Sequence, residues 1–532
     1  MILAKHFGTL GKLGNQLFQW AAMIGMARKY ETTFQVPTWR YSEFCMYPPP
    51  QESNTQDWGI WPEMRETHFH YEAEYWDSFK DRFKDLKTGI YGYLQSPMFW
   101  DNDQKFIQER MSFTHQFRQS VKEKFIHVFN RPTIAISVRR GDFVGNPEHY
   151  LLPINYYIGA LYNNFQDLQN FNIVVFSDDL SYCKVHFECL DNVSFADGLT
   201  DIEQLCLMSQ MDNFVIANST FSWWGAYLGQ KAYSKVIRPA HHFAGQQLID
   251  CDIKDHYPNW IIYDHEDGEV NKIDLPDVTF CIPVFYDHPD RRNNLQLNIC
   301  MLQREFNCRI LIGEQGGEEF KDTPNVDYVN FKDLKEFHRT KMLNDMMKSV
   351  ETPIVYNWDA DVIVPPLQVL KSIQLLRDDK ADMVYPYDGR FSRVPRNLFG
   401  SLQKDLDVGI FGGMMFKGMR PADAKSVGGA MAWRKDKFIE GGMENEKMIS
   451  YAPEDVERFE RFKRLGYRVE KITGVLYHMD HFISINSSEK NPHFDANWQE
   501  LWNMRELNDN QLKQYVKTWP WVQNSANNRN LE

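Results

Sequence analysis

Three times in the first half of this chain a short apolar run stops at a polar cluster. Thr133-Ile134-Ala135-Ile136-Ser137-Val138 runs into Arg139-Arg140-Gly141-Asp142. Residues 171–176 run into Ser177-Asp178-Asp179, and residues 214–217 into Asn218-Ser219-Thr220. Runs this short and rich in β-branched residues suit strands buried on both faces of a parallel sheet. Helical patterns lie between them, so the expected fold class is α/β. In such sheets ligands sit at the carboxyl ends of the strands, where these polar clusters fall.

The pattern restarts after a break. Residues 264–276 open on Asp264-His265-Glu266-Asp267-Gly268-Glu269 and read as an acidic linker. Apolar runs follow at 278–284, 309–313 and 353–358. Between the last two, Leu334, Phe337, Leu343, Met346, Met347 and Val350 approximate helical spacing. The expected division is residues 1–265, residues 277–486, and a polar helical appendage at 487–532 with a frayed end. Residues 45–80, with Pro48-Pro49-Pro50 and many aromatics, are expected to form an irregular loop or insertion.

Composition removes several classes. With 43% hydrophobic and 14% aromatic residues, 532 residues can bury two cores, which excludes a disordered or fibrous chain. A net charge of −13 without a dense basic run argues against nucleic acid as a partner. The eight cysteines include no CxxC pair and read as reduced, mostly buried thiols of a cytoplasmic protein. Lys5, Lys12 and Gln16 interrupt the N-terminal apolar positions, so no signal peptide is expected. No stretch approaches the ~18–20 apolar residues that span a bilayer. The expected protein is soluble, or at most attached to a membrane surface.

Arg139 and Arg140 lead the first constellation. Guanidinium groups bind phosphate oxygens in bidentate fashion, and two at a strand end can hold a pyrophosphate. Gly141 lets the backbone turn beside them. Alone, the string is better explained as surface arginines bridged to Asp142. It has company. Gly8, Gly11 and Gly14 lead into Asn15-Gln16 and an apparent helix start, which is an anion site. Asn218-Ser219-Thr220-Phe221-Ser222 offers further hydroxyls and amides, and Trp223 and Trp224 fit either a core or a ligand platform.

Gly11-Lys12-Leu13-Gly14-Asn15-Gln16, Arg139-Arg140-Gly141-Asp142, Phe176-Ser177-Asp178-Asp179 and the stretch from Asn218 to Ala226 stand in order. Together they resemble the α-1,2-fucosyltransferases of glycosyltransferase family 11, over roughly residues 1–260. The resemblance implies a GT-B-like, doubly wound unit, GDP-fucose as donor, no metal, and inversion at the anomeric carbon. It implies catalytic roles for Arg139, Arg140 and Asp142. It implies GDP-fucose contacts for Gly14, Asn15, Gln16, Asp178, Asn218, Ser219 and Ser222. The arginines would stabilise charge on the departing GDP in place of a metal ion. Ser137 stands where the family often has His, and Phe143 where it has Tyr, so no base is assigned.

Asn357-Trp358-Asp359-Ala360-Asp361 ends a strand pattern in the second half. Carboxylates at this spacing can hold a divalent cation that bridges a nucleotide diphosphate, although a lone DxD is more often a loop acidic pair. Downstream stand Gly428-Gly429 and Pro453-Glu454-Asp455. Val456, Phe459, Phe462 and Leu465 mark a helix whose first turn carries Glu454 and Asp455. Those acids complement the helix dipole, or one acts as general base. Tyr477-His478-Met479-Asp480-His481 follows the next strand pattern, and a histidine there could complete a metal site with Asp361.

With Phe337-His338-Arg339-Thr340-Lys341 and Leu343-Asn344, these segments resemble the β-1,4-galactosyltransferases and relatives of GT-A fold, over about residues 278–481. The resemblance implies a UDP-sugar donor, Mn²⁺ or Mg²⁺, and an inverting reaction with Asp455 or Glu454 as base. It implies UDP-sugar contacts for Arg339, Lys341, Asp359, Gly428 and Gly429, and metal ligation by Asp359, Asp361 and His478. Tyr451-Ala452-Pro453 replaces the family's Trp-Gly-Gly run before the acids, which leaves galactose first, with N-acetylgalactosamine and other hexoses open. The combined expectation is a bifunctional glycosyltransferase acting on a glycan acceptor in surface polysaccharide synthesis. The alternatives are a single fucosyltransferase with a non-catalytic sugar-binding C-terminal unit, and a glycoside hydrolase with two carboxylates flanking the bond.

Overall fold

All six residues of Thr133–Val138 are buried, so this strand needs a neighbour on each edge and cover on both faces. It pairs in parallel with Asn172–Ser177 on one side and Asn213–Val215 on the other. Val193–Phe195, Val236–Pro239 and Ile261–Tyr263 complete a six-stranded sheet in which every pairing is parallel. A second parallel sheet has the order Gln51–Glu52, Phe34–Pro37, Ile2–Leu3, Thr88–Tyr91, Glu63–Arg65. The computed structural model describes residues 1–250, 255–264, 272–414 and 425–523. The chain divides into two units, Met1–Cys183 with Asp191–Asn271, and Lys184–Leu190 with Lys272–Glu532. Most of the expected acidic linker, the frayed end and Cys251 lie outside the described residues.

The first unit corrects one expectation. Residues 45–80 are not merely an irregular loop: they hold the strands Gln51–Glu52 and Glu63–Arg65 and the helix Ala73–Asp77. Strands of two or three residues are too short for alternation to register in sequence. Trp223 and Trp224, on the helix Thr220–Gly229, are fully buried. Phe18 lies 4.5 Å from Trp223 and 5.1 Å from Trp224, ring to ring, so both tryptophans are core.

The second unit is built on a seven-stranded sheet. Its order is Asp327–Asn330, Phe306–Gln315, Ile273–Phe285, Ile354–Trp358, Ala430–Arg434, Met383–Tyr385, Val469–Lys471. Only Ala430–Arg434 runs antiparallel to its neighbours. A small sheet joins Val362–Ile363, Val475–Met479 and Arg390–Val394. The helix Arg339–Ser349 buries Met342, Leu343, Met346 and Met347, while Leu334 and Phe337 precede it. Phe494–Glu506 and Asp509–Lys517 are helices near the C-terminal end.

The helix Glu454–Arg464 begins where expected but buries a different face. Its buried residues are Glu457, Arg458, Arg461 and Phe462. Arg458 Nη1 donates to both carboxylate oxygens of Glu444, at 2.8 and 2.7 Å. Arg461 Nε donates to Glu457 at 2.6 Å. Charges enter a core when each is paired, and hydrophobic periodicity does not register them.

Among the described cysteines all are free, with Cys300 exposed, Cys308 intermediate and the rest buried. Among the described residues no helix is long and apolar enough to cross a membrane.

Candidate functional site

In the first unit a cavity of about 920 Å³ gathers the ends of three strands. Val138 and Arg139 lie at the end of one strand, Ser177 and Asp178 at the end of another, and Asn218 and Ser219 just beyond the third. Two helices, Leu13–Lys29 and Thr220–Gly229, begin at the same cavity, and neither has a side-chain cap. Uncapped first-turn N–H groups favour an anion. A Cβ on Gly14 would fall 2.5 Å from the Phe221 nitrogen, so the two helix starts approach this closely only because residue 14 lacks a side chain.

Asp178 organises the charges. Its Oδ1 accepts from the Arg140 backbone N–H at 3.0 Å, and its Oδ2 lies 2.7 Å from Arg139 Nη1. Arg139 also pairs with Asp142, which pairs with Lys12 at 2.9 Å. Burial works to raise the Asp142 pKa, but Lys12 and Arg139 outweigh it and hold the carboxyl below its usual range. A Cβ on Gly141 would overlap Asp178 Oδ2. Gly141→Ala must therefore displace Asp178, and Arg139 with it. Overpacking of this kind costs ~1–3 kcal/mol, so Gly141→Ala is expected to lower the melting temperature of the chain, measured by calorimetry.

The predicted residues divide by what they touch. Arg139, Asp142, Asp178, Gly14, Asn15, Gln16, Asn218, Ser219 and Ser222 all line the cavity. Two of them spend their amides on the wall: Gln16 Nε2 donates to the Gly8 and Gly11 carbonyls, and Asn218 Nδ2 to those of Tyr150 and His242. Asn15 Oδ1 accepts from Thr220 Oγ1 at 2.8 Å, and Ser222 Oγ lies 2.7 Å from Ser137 Oγ. Arg140 is absent from the lining residues. Its guanidinium carbon stacks 3.7 Å from the Tyr182 ring centre and its Nε is 3.4 Å from Asp179.

In the second unit Arg339 is the hub. Its Nη2 donates to Asp359 Oδ1 at 2.5 Å and Asn357 Oδ1 at 3.3 Å, and its Nη1 lies 3.5 Å from Glu454 and 3.7 Å from Asp455. Gly428 admits Asp455, whose Oδ2 a Cβ would overlap, and Gly429 takes φ 89° while its carbonyl accepts from Asp359 N. Burial, and then the charge of Asp455, push the Glu454 carboxyl up to about 7. Lys341 instead pairs with Asp345 at 2.9 Å, four residues along its own helix.

Asp361 stands apart from this hub. His481 Nε2 lies 3.1 Å from its Oδ2, His478 Nε2 3.5 Å from its Oδ1, and Arg291 Nη1 2.8 Å from its Oδ2. Asp361, His478 and His481 form a group able to hold a metal ion, and Asp359 is not in it. Separations of 3.1–3.5 Å suit a coordination sphere with bonds of ~2.1 Å, and two imidazoles with a carboxylate suit a transition metal. The structure thus brings together two of the three expected ligands and adds His481. His478 lies within the strand Val475–Met479, opposite Val362.

Residues 7–263 match the profile of Glycosyl transferase family 11. The N-terminal region carries a family 11 domain. It shares 30% identity over 182 residues with an Escherichia coli alpha-1,2-colitosyltransferase, covering 32% of this chain and 63% of that protein. It shares 28% over 190 residues with the Escherichia coli O-antigen biosynthesis glycosyltransferase WbnK, covering 33% of this chain and 62% of that protein. The chain spans just under two thirds of these relatives. Among solved structures, the catalytic domain of Drosophila β1,4-galactosyltransferase 7 in complex with xylobiose aligns with 37% of this chain and 65% of its own, at 13% identity and a TM-score of 0.25.

Sequence reading missed two histidines of the family 11 domain. His149 lines the cavity with its ring 4.3 Å from that of Phe143, and burial lowers its pKa, so the imidazole is neutral near pH 7. His242 also lines the cavity, with Nδ1 2.7 Å from the Tyr257 hydroxyl. His149 stands alone in sequence and His242 stands only beside His241, and loops carry both to the wall.

Proposed function

We propose that this chain is a bifunctional glycosyltransferase. Its family 11 domain transfers fucose from GDP-fucose to the 2-hydroxyl of a terminal galactose-type residue. Its second unit, of GT-A type, transfers a hexose, galactose first, from a UDP-sugar. The observation that carries the first activity is the cavity in which Arg139 meets two uncapped helix starts. Its volume suits a nucleotide sugar. Arg139, held by Asp178, would offset the charge growing on the leaving diphosphate. Asp142, tied to Lys12 and Arg139, orients that arginine and is a poor base. His149, neutral and in the cavity wall, is the better acceptor of the sugar hydroxyl's proton. The acceptor is a glycan of surface polysaccharide type, in keeping with the O-antigen role in the relative's name.

In the second unit Asp361, His478 and His481 would hold Mn²⁺ rather than Mg²⁺, because two imidazoles favour a transition metal. Such an ion, when bound, offsets diphosphate charge during transfer. Arg339 holds Asp359 through one guanidinium nitrogen and Glu454 through the other. Glu454 takes the acceptor proton. Because its carboxyl titrates near 7 and must be ionised to act, kcat/KM for the UDP-sugar is expected to rise with pH through about 7. Glu454→Gln should remove both that limb and most of the rate, and an unchanged profile would move the base to Asp455.

Nucleotide release from GDP-fucose and a panel of UDP-sugars, with Mn²⁺ and with EDTA, tests the whole reading. Turnover of GDP-fucose in EDTA and Mn²⁺-dependent turnover of one UDP-sugar are expected. The E. coli relative's name makes a colitosyl donor the second candidate for the first site. If no UDP-sugar turns over, the second unit is a sugar-binding module. Tethering two successive activities raises the local concentration of the shared intermediate. A family 11 domain that ignored every product of the second unit would end that idea.

A further inference from the structure

Thr67-His68-Phe69-His70-Tyr71-Glu72 supplies no group to the transfer chemistry above, yet it gathers three good metal ligands. His68 Nδ1 lies 3.3 Å and His70 Nε2 3.7 Å from Glu72 Oε1. One ligand atom from each of the three lies within 4.8 Å of the others. Bonds of ~2.0–2.1 Å to a tetrahedral zinc ion place its ligands roughly 3.3–3.4 Å apart, close to the two histidine–carboxylate separations. The two rings are already stacked, with centres 5.0 Å apart. Thr67 Oγ1 donates to Glu72 Oε2 at 2.8 Å, which leaves Oε1 facing the imidazoles. An outer hydrogen bond of this kind orients a ligating carboxylate. Two nitrogens and one oxygen select a transition metal over Ca²⁺ or Mg²⁺, which prefer oxygen alone.

The position gives the group a consequence. Phe69, between the two histidines, lines the family 11 cavity. Its ring lies 5.2 Å from Phe243 and 6.0 Å from Tyr93, which line the same cavity. We propose that His68, His70 and Glu72 bind a divalent transition metal of the zinc class, and that this ion fixes the Phe69 wall of the cavity. The ligands flank Phe69 on both sides, so the ion restrains the backbone that carries it.

The test is a Zn²⁺ titration of the full chain against a chromophoric chelator. His68→Ala and His70→Ala are each expected to bind one zinc fewer per chain than the wild type. His127→Ala, a surface histidine of the same unit, should bind as many as the wild type. Because the readout is a difference, it holds whether or not Asp361, His478 and His481 take up another ion. It also holds whether or not either transferase activity exists. Equal zinc uptake by wild type, His68→Ala and His70→Ala would overturn the site. Zinc should also slow hydrogen exchange of the segment around Phe69 in the wild type and not in His70→Ala. Exchange unaffected by zinc would overturn the fixing of the wall.

Discussion

Arg139→Ala is expected to lower GDP-fucose turnover by about 10²–10³-fold, the effect of removing one preorganised donor worth ~3–4 kcal/mol. One feature pushes the loss to the upper end. Arg139 is the cation that faces both Asp178 and Asp142, so its removal leaves Asp178 without its guanidinium and Asp142 with Lys12 alone beside an incoming diphosphate. The cavity also has the second-unit chemistry nowhere in its lining, so metal-dependent turnover of the UDP-sugar should be unchanged. Arg139→Lys restores charge but not the two-pronged geometry and should recover only part of the rate. Arg140→Ala is expected to cost less, because Arg140 packs on Tyr182 outside the lining. Steady-state kinetics on the three variants checks this order, and a larger loss for Arg140→Ala would reverse the assignment.

Asp361→Asn is expected to remove the proposed metal-dependent activity, lowering it by more than the ~10–100-fold typical of an outer partner of a metal ligand. The asparagine keeps the shape and leaves His478 and His481 in place. It also leaves Arg291 short of a buried partner, so a melting curve belongs beside the assay. Asp359→Asn separates the two carboxylates of the DxD. Asp359 faces Arg339 rather than the histidines, so its variant should raise KM for the UDP-sugar while metal affinity changes little. If both variants lose the metal equally, Asp359 belongs in the ligand set after all. GDP-fucose turnover should survive both.

Much of this arrangement was legible because it is local. Thr133–Val138 buries all six residues, and its apolar run could only be a doubly covered strand. The turn after it had to carry the chemistry, since three such turns meet at one end of a parallel sheet. Direction was not legible. Gln16 and Asn218 stand in the right motifs, yet hydrogen bonds to main-chain carbonyls turn their amides into the wall. Arg139 and Arg140 are adjacent in sequence but reach different partners. Nor were partners brought by distant loops, such as His149 and His242. His481 was visible in its motif, but choosing it over Asp359 needed the distances around Asp361.

The paired charges under the helix Glu454–Arg464 have a consequence for how the second unit opens. Its mean composition is polar, and judged on that alone its amides would be among the first to exchange with solvent. Yet Arg458 is locked to Glu444, and Arg461 holds Glu457 and the carbonyls of Gly441 and Met443, all within the buried interior. Releasing one turn of this helix would leave the buried Glu444 carboxylate without its cation. Local fraying is therefore more costly than the sequence suggests, and the helix should open only when the whole unit does. Its central amides belong with the slowest-exchanging in the second unit, beside those of Ile354–Trp358.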